Sequence, residues 1–130
     1  MTIYLDHVVL FAENMERSLG FYGGVLRLIP ERVEAFRAGK VLFPSVRINE
    51  NTLIDIMPAD ATESLRACNM DHICLSLPRE RWQEIVDSLP KHGIEIEAGP
   101  MTLWGARGEA TSIYIQDPEG NRVELRYYDD

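Results

Sequence analysis

The sequence predicts an α+β fold in which one module of about 60 residues is used twice. Three observations carry this. Asp6-His7-Val8-Val9-Leu10 returns as Asp71-His72-Ile73-Cys74-Leu75, 65 residues later. Each copy opens an apolar run of strand character, followed by an amphipathic helical stretch and then by strand-like runs, so the order strand, helix, three strands occurs twice. Each half closes on an apolar-acidic pair, Ile54-Asp55 and Val123-Glu124, 69 residues apart. Landmarks in the same order at nearly constant offset mark an internal duplication.

The elements follow in chain order. Ile3–Phe11 reads as the first strand. Met15, Leu19, Tyr22 and Leu26 recur at helical spacing, which predicts a helix over Met15–Val25 with Asn14 as N-cap. Gly23-Gly24 weakens its last turn. Val33–Arg37, Val41–Ile48 and Thr52–Met57 complete the first module, about residues 1–58. Pro58–Asn69 is polar and links the modules at the surface. The second module, about 70–130, opens with a strand over His72–Leu77. Trp82, Ile85, Val86 and Leu89 then place one apolar face on a helix over Arg79–His92. Pro90 lacks an N–H and distorts the last turn, and Gly93 suits the left-handed position beyond it. Gly93–Glu97 reads as a strand. Gly99–Ala110, with Gly99, Gly105 and Gly108 and no clear period, reads as a mobile loop. Thr111–Gln116 and Arg122–Tyr128 form the closing hairpin. Asp117-Pro118-Glu119-Gly120 between them has the residue preferences of a type I turn.

With 130 residues, 45% hydrophobic and 26% charged, the chain fits one globular domain over 1–130. A formal net charge of −8 offers no uniform field to a phosphate backbone, so nucleic acid is not the expected partner. No apolar run reaches the roughly 20 residues of a membrane span. No basic stretch precedes an apolar one at the start, so no signal peptide is expected. Cys68 and Cys74 lack framework spacing. Together these imply a cytoplasmic, reducing location with free thiols.

Alternate residues of a strand share a face. His7 therefore lies with Leu5 and Val9, His72 with Cys74 and Ser76, Asp55 with Leu53 and Met57, and Glu124 with Arg122 and Arg126. A bare imidazole or carboxylate on a mainly apolar face costs several kcal/mol unless paired or coordinated. Two imidazoles and two carboxylates brought together suit a divalent first-row metal. Singly, each has a plainer role: a hydrogen-bonded histidine, a pairing of Asp55 with Arg47, a pairing of Glu124 with Arg122 or Arg126. Their equivalent positions in two copies favour the joint reading. His92 reads as a basic residue at a helix end, and Cys74 as a buried thiol beside His72. Trp82 belongs to the core. Trp104, in the glycine-rich stretch, either covers a ligand or anchors the loop.

These stretches also resemble a known family. Leu5-Asp6-His7-Val8-Val9-Leu10, Ser18-Leu19-Gly20-Phe21-Tyr22, Met70-Asp71-His72-Ile73, Gly93-Ile94-Glu95-Ile96 and the run Ser112–Leu125 are similar to the vicinal oxygen chelate superfamily. It includes glyoxalase I, fosfomycin resistance proteins, methylmalonyl-CoA epimerase, extradiol dioxygenases and bleomycin resistance proteins. The resemblance spans essentially the whole chain, and Asp-Pro-Glu-Gly-Asn-x-x-Glu is its most specific part. It implies paired βαβββ modules forming a cupped, partly open mixed sheet around one metal. By position it makes His7, His72 and Glu124 metal ligands, with Asp55 where glyoxalase I has a fourth. Asp is one methylene shorter than the usual Glu there.

The resemblance further implies one divalent ion per site, Ni, Co, Zn, Mn or Fe. It makes Glu124 and Asp55 the catalytic carboxylates of a glyoxalase-I-like lyase or isomerase acting on a small oxygenated substrate such as a hemithioacetal. The alternatives are an extradiol-type dioxygenase or related oxygen-chelate enzyme, and a non-catalytic small-molecule binder. Arg47, Trp104, Arg107 and Tyr114 are candidate substrate-binding residues. A homodimer is expected, with the ligands drawn from one chain or from two.

Overall fold

The structure is a computed structural model and describes residues 5–59 and 70–129. The chain divides into two compact units, Met1–Ala67 and Cys68–Asp130. Most of the expected inter-module link lies outside the described residues.

The first unit contains β1 (His7–Ala12), α1 (Met15–Leu19), a π-helical turn (Gly20–Val25), β2 (Ile29–Glu31), α2 (Val33–Arg37), β3 (Ser45–Asn49) and β4 (Thr52–Pro58). The second contains β5 (Ile73–Ser76), α3 (Arg79–Ser88), a 3-10 turn (Pro90–His92), β6 (Ala98–Gly105), β7 (Gly108–Gln116) and β8 (Arg122–Tyr127). Each unit forms one mixed, open four-stranded sheet, ordered β1-β4-β3-β2 in the first and β5-β8-β7-β6 in the second. In both, the first strand pairs parallel with the last and the other pairs are antiparallel. The expected α+β fold is therefore present, and the two sheets share one strand order; the second unit runs βαβββ, whereas in the first α2 interrupts that order between β2 and β3.

Local chemistry sets the elements. Asn14 caps α1, its Oδ1 accepting from Arg17 N–H at 3.1 Å. The helix continues through the two glycines as a widened π turn. Tyr22, Leu19 and Val25 are buried there with Leu10, Val46, Ile54 and Ile56 of the sheet. In the second unit Trp82, Ile85 and Leu89 pack with Ile113, Ile115, Val123 and Leu125. Trp82 Nε1–H donates to Leu125 O at 2.9 Å. Pro90 opens the 3-10 turn, and Gly93 ends it with φ 71°. Gly120 N–H donates to Asp117 O at 3.1 Å, which closes the expected turn between β7 and β8.

Three expectations are corrected. Val33–Arg37 is helix α2, not a strand; none of its residues is fully buried, and Arg37 pairs with Glu34 across one turn. Gly93–Glu97 is not a strand, because β6 begins only at Ala98. Gly99–Ala110 is not a loop; it belongs to the β6–β7 hairpin, and its glycines mark a register shift near Gly99 and the turn from Gly105 to Gly108. Among the described residues no helix is long and apolar enough to cross a membrane.

Candidate metal centre

The helix-free face of each sheet carries one imidazole and one carboxylate. In the first unit, β1 and β4 run parallel with Val9 opposite Asp55 and His7 opposite Leu53. His7 thus shares the face of Asp55. Its Nε2 lies 3.9 Å from Asp55 Oδ2. Its Nδ1 lies 2.7 Å from Asp6 Oδ2. An ionised carboxylate only accepts, so the Asp6 contact places the ring proton on Nδ1 and leaves Nε2 as a lone-pair donor. The same contact, more than partial burial offsets, holds the His7 imidazole above its ordinary value of 6.5. Asp55 is buried, and its Oδ1 accepts from Ser45 Oγ at 2.6 Å.

The second unit repeats the arrangement. His72 Nδ1 lies 2.6 Å from Asp71 Oδ2, and His72 Nε2 lies 3.1 Å from Glu124 Oε1. The His72 hydrogen bond, with Arg122 nearby, holds Asp71 below its ordinary value. Glu124 is buried on β8, opposite Cys74 of β5 and Tyr114 of β7. Its Oε2 accepts from Arg126 Nη2 at 2.6 Å and Nε at 3.2 Å. Burial pushes the Glu124 carboxyl up, but Ser112, Arg126 and Tyr114 more than offset it and leave it below the ordinary carboxylate range. Ser112 Oγ is buried and has no hydrogen-bond partner among the described residues.

The donors thus stand as two pairs, each with an aspartate behind its imidazole. No group of three or more His, Cys, Asp or Glu donors is gathered among the described residues. The chemistry of the set fits a divalent first-row ion: two imidazoles, each with an aspartate at Nδ1, and two buried carboxylates, Glu124 and Asp55. An imidazole whose other nitrogen donates to a carboxylate is the usual state of a metal-ligating histidine. The four residues singled out in the sequence fall into these two pairs, whereas Asp6 and Asp71, which stand behind the imidazoles, are not among the residues the sequence singles out. The signal was present, since an aspartate precedes the histidine in both copies.

The remaining candidates fall differently. Tyr114 stands edge-on to His72 with ring centroids 5.3 Å apart, and Arg122 covers its ring at 4.4 Å. Burial, then the Glu124 charge, pushes its phenol up. Arg47 does not pair with Asp55; its Nε donates to Glu31 Oε2 at 2.6 Å. Arg107 sits in the β6–β7 turn, its guanidinium 4.2 Å from the Tyr128 ring centre. Trp104 is 80% exposed. Strand alternation places it with Glu109 and Thr111, on the face opposite Glu124; it still borders the cavity beside Glu124, and its carbonyl accepts from Arg126 Nη2 at 3.1 Å. Cys74 is exposed rather than buried; it borders a cavity of about 490 Å³ with His72, Glu124, Arg126, Arg107 and Tyr128. Cys68 lies outside the described residues.

Comparison with known proteins agrees with this architecture. The profile of the Glyoxalase/Bleomycin resistance protein/Dioxygenase superfamily matches residues 4–125. The glyoxalase domain-containing protein RDO1 of Mycosarcoma maydis is 31% identical over 133 residues, covering 97% of this chain and 69% of that protein. The virulence protein STM3117 of Salmonella typhimurium is 29% identical over 125 residues, covering 95% of this chain and 83% of that one. Its crystal structure superposes with a TM-score of 0.74 over 98% of both chains at 23% identity. A glyoxalase/dioxygenase from Nostoc punctiforme shares the fold with a TM-score of 0.77 at 18% identity, over 98% of this chain and 92% of that one. The two-module topology, the repeated histidine-carboxylate pairs and the profile match together show that the chain belongs to the glyoxalase/bleomycin resistance protein/dioxygenase superfamily.

Proposed function

We propose that this protein is a metal-dependent lyase or isomerase of the glyoxalase I kind, acting on a small oxygenated substrate such as a hemithioacetal. The observation that carries the reading is the duplicated Asp-His-carboxylate arrangement, Asp6-His7-Asp55 and Asp71-His72-Glu124. On this reading His7, His72 and Glu124 would hold one divalent ion and Asp55 would act on the substrate, whether the ligands come from one chain or from two. When bound, the ion supplies Lewis-acid stabilisation of negative charge developing on substrate oxygens.

The chain's own residues divide the remaining work. Glu124, paired with Arg126, is held below the ordinary carboxylate range, which suits a ligand and makes it a weaker base. Asp55 carries only the neutral Ser45 hydroxyl on Oδ1. Its Oδ2 takes the proton from the substrate carbon next to the carbonyl and returns it to the neighbouring carbon. That transfer balances internally and needs no oxidant. Tyr114 and Arg107 border the substrate.

The test is metal analysis of protein purified without added metal, reconstitution with Ni, Co, Zn, Mn or Fe, and an oxygen-free assay on a methylglyoxal–thiol adduct. Asp55→Asn retains metal and loses about 100- to 10,000-fold in turnover, the usual weight of acid–base catalysis. Glu124→Gln loses both metal and turnover. Metal affinity falls as the pH drops through the His7 range, which Asp6 sets above 6.5, because protons then compete for Nε2.

One observation favours a second reading. Ser45 engages Asp55, and Asp55 stands 3.9 Å from His7. If Asp55 stays outside the ligand set, two histidines and Glu124 form the face used by non-haem Fe(II) oxygenases. Oxygen-dependent catechol cleavage by the Fe(II) protein, unchanged in Asp55→Asn, decides for that reading.

A further inference from the structure

We propose that Arg126 is a positioning residue that occupies one oxygen of Glu124, so that the other oxygen alone is presented to a divalent cation. The inference rests on the reading of Glu124 as a ligand. Oε2 of Glu124 accepts from both Nη2 and Nε of Arg126, at 2.6 and 3.2 Å. Oε1 is left facing His72 Nε2 at 3.1 Å. The two side chains are only 5% and 3% exposed, so water does not compete for this pairing.

Arg126 is itself fixed from behind. Nη2 also donates to Trp104 O at 3.1 Å, and Nη1 donates to the Tyr128 hydroxyl at 3.2 Å. The guanidinium lies against the bare Cα of Gly105: a Cβ there would overlap Nη1 and stand 2.6 Å from Cζ and 2.7 Å from the Tyr128 hydroxyl. Gly105, Trp104 and Tyr128 therefore form a socket for a planar, multiply donating head. A lysine ammonium, as a compact point charge, cannot fill this socket and hold Oε2 with two parallel donors.

Charge alone predicts the opposite behaviour, which makes the idea testable. A guanidinium near a metal repels it, so removing Arg126 should tighten binding if electrostatics dominate. Orientation works the other way. Without Arg126 the buried Glu124 carboxylate loses both donors on Oε2 and is free to rotate away from its aim. Losing such an outer partner typically costs 10- to 100-fold in metal affinity.

The experiment is calorimetric titration of the full-length protein with Zn²⁺, for the parent and for Arg126→Met, Arg126→Lys and Gly105→Ala, with far-UV circular dichroism as the folding control. Expected are a 10- to 100-fold loss for Arg126→Met and a smaller loss for Arg126→Lys. Gly105→Ala should also lose affinity, since it displaces the guanidinium while keeping every charge; this variant carries the test if Arg126→Met fails to fold. A crystal structure of the Zn-loaded parent should show Glu124 bound through Oε1 alone. Unchanged or tighter binding in the Arg126 and Gly105 variants, or bidentate Glu124, overturns the proposal. If Zn²⁺ binding is lost in Glu124→Gln but untouched by those variants, only this inference fails. If the parent binds no Zn²⁺, or Glu124→Gln binds as tightly as the parent, the ligand reading fails and the proposal falls with it.

Discussion

A carboxylate as buried as Glu124 is stable only because Arg126 and its neighbours compensate it, and this has consequences at the scale of single residues. Breaking a buried ion pair by removing one partner costs about 3–5 kcal/mol. Arg126→Met should therefore destabilise the metal-free protein by that order in urea denaturation at neutral pH. The pH dependence has a definite sign. The Glu124 carboxyl lies below its ordinary value of 4.5 in the folded state, so it contributes stability that is present above that value. This stability is lost as pH falls through the lower folded value. Glu124→Gln should flatten that acid-side slope in a series of denaturations between neutral pH and acid. Cys74, opposite Glu124, shows the reverse chemistry: the residue is open to solvent on one side, but partial desolvation of its sulfur by the neighbouring side chains, then the Glu124 charge, pushes its thiol up to about 11. Although exposed, it should alkylate slowly with iodoacetamide at neutral pH and accelerate only as pH approaches that value, because the thiolate is the nucleophile. The pairing of His7 with Asp55 and of His72 with Glu124 is legible in the sequence because duplication sets these residues at matched positions, Asp55 opposite Val9 and Glu124 opposite Cys74. Gly105 was not, since its function is to lack a Cβ where Arg126 passes, and only coordinates show that approach.

At the scale of elements, misreading arose wherever two periodicities fit the same short run. Val33-Glu34-Ala35-Phe36-Arg37 starts in apolar–polar alternation but sets Ala35 and Phe36 side by side, and the Glu34–Arg37 contact at 2.7 Å is a one-turn helical pair. Ile94-Glu95-Ile96-Glu97 also alternates. Its backbone instead leaves the 3-10 turn, Ile94 N–H donating to Leu89 O at 3.0 Å and Glu97 N–H to Tyr114 O at 2.7 Å. The glycines of 99–110 were read as loop markers, whereas in a strand pair glycine also marks kinks and close approaches. Where a pattern was long and the cap chemistry explicit, as from Asn14 or between Arg79 and Gly93, sequence and structure agree. Gly93 offers a clean check. Its φ is 71°, and a Cβ there would meet nothing within 4 Å. The cost of Gly93→Ala is then purely the left-handed backbone of an L-residue, about 1 kcal/mol. Thermal unfolding should show a modest fall in Tm with no change in metal affinity.

At the scale of the whole molecule, each unit supplies one imidazole and one carboxylate, half of the four-donor set read from the sequence. The reading of one shared ion therefore makes a demand on stoichiometry that two independent weak sites would not. His7→Ala removes a donor from the first unit, and His72→Ala removes one from the second. If the two pairs serve one ion, either substitution takes the bound metal from one equivalent per chain toward none, measured by elemental analysis after gel filtration. If each pair binds separately, each variant removes only its own share. The same logic addresses the proposed homodimer. Val9 and Phe11, beside His7 on the helix-free face of β1, are 46% and 43% exposed, apolar surface of the kind a second copy covers. If the dimer draws His7 from one chain and Glu124 from the other, His7→Ala and Glu124→Gln chains, each inert alone, recover part of the metal capacity when unfolded together and refolded as a mixture. Full inertness of the mixture, with a dimer visible by sedimentation, places all the ligands of each site within one chain. A monomer at high micromolar concentration that still binds one ion per chain removes the dimer from the account and leaves the metal site standing.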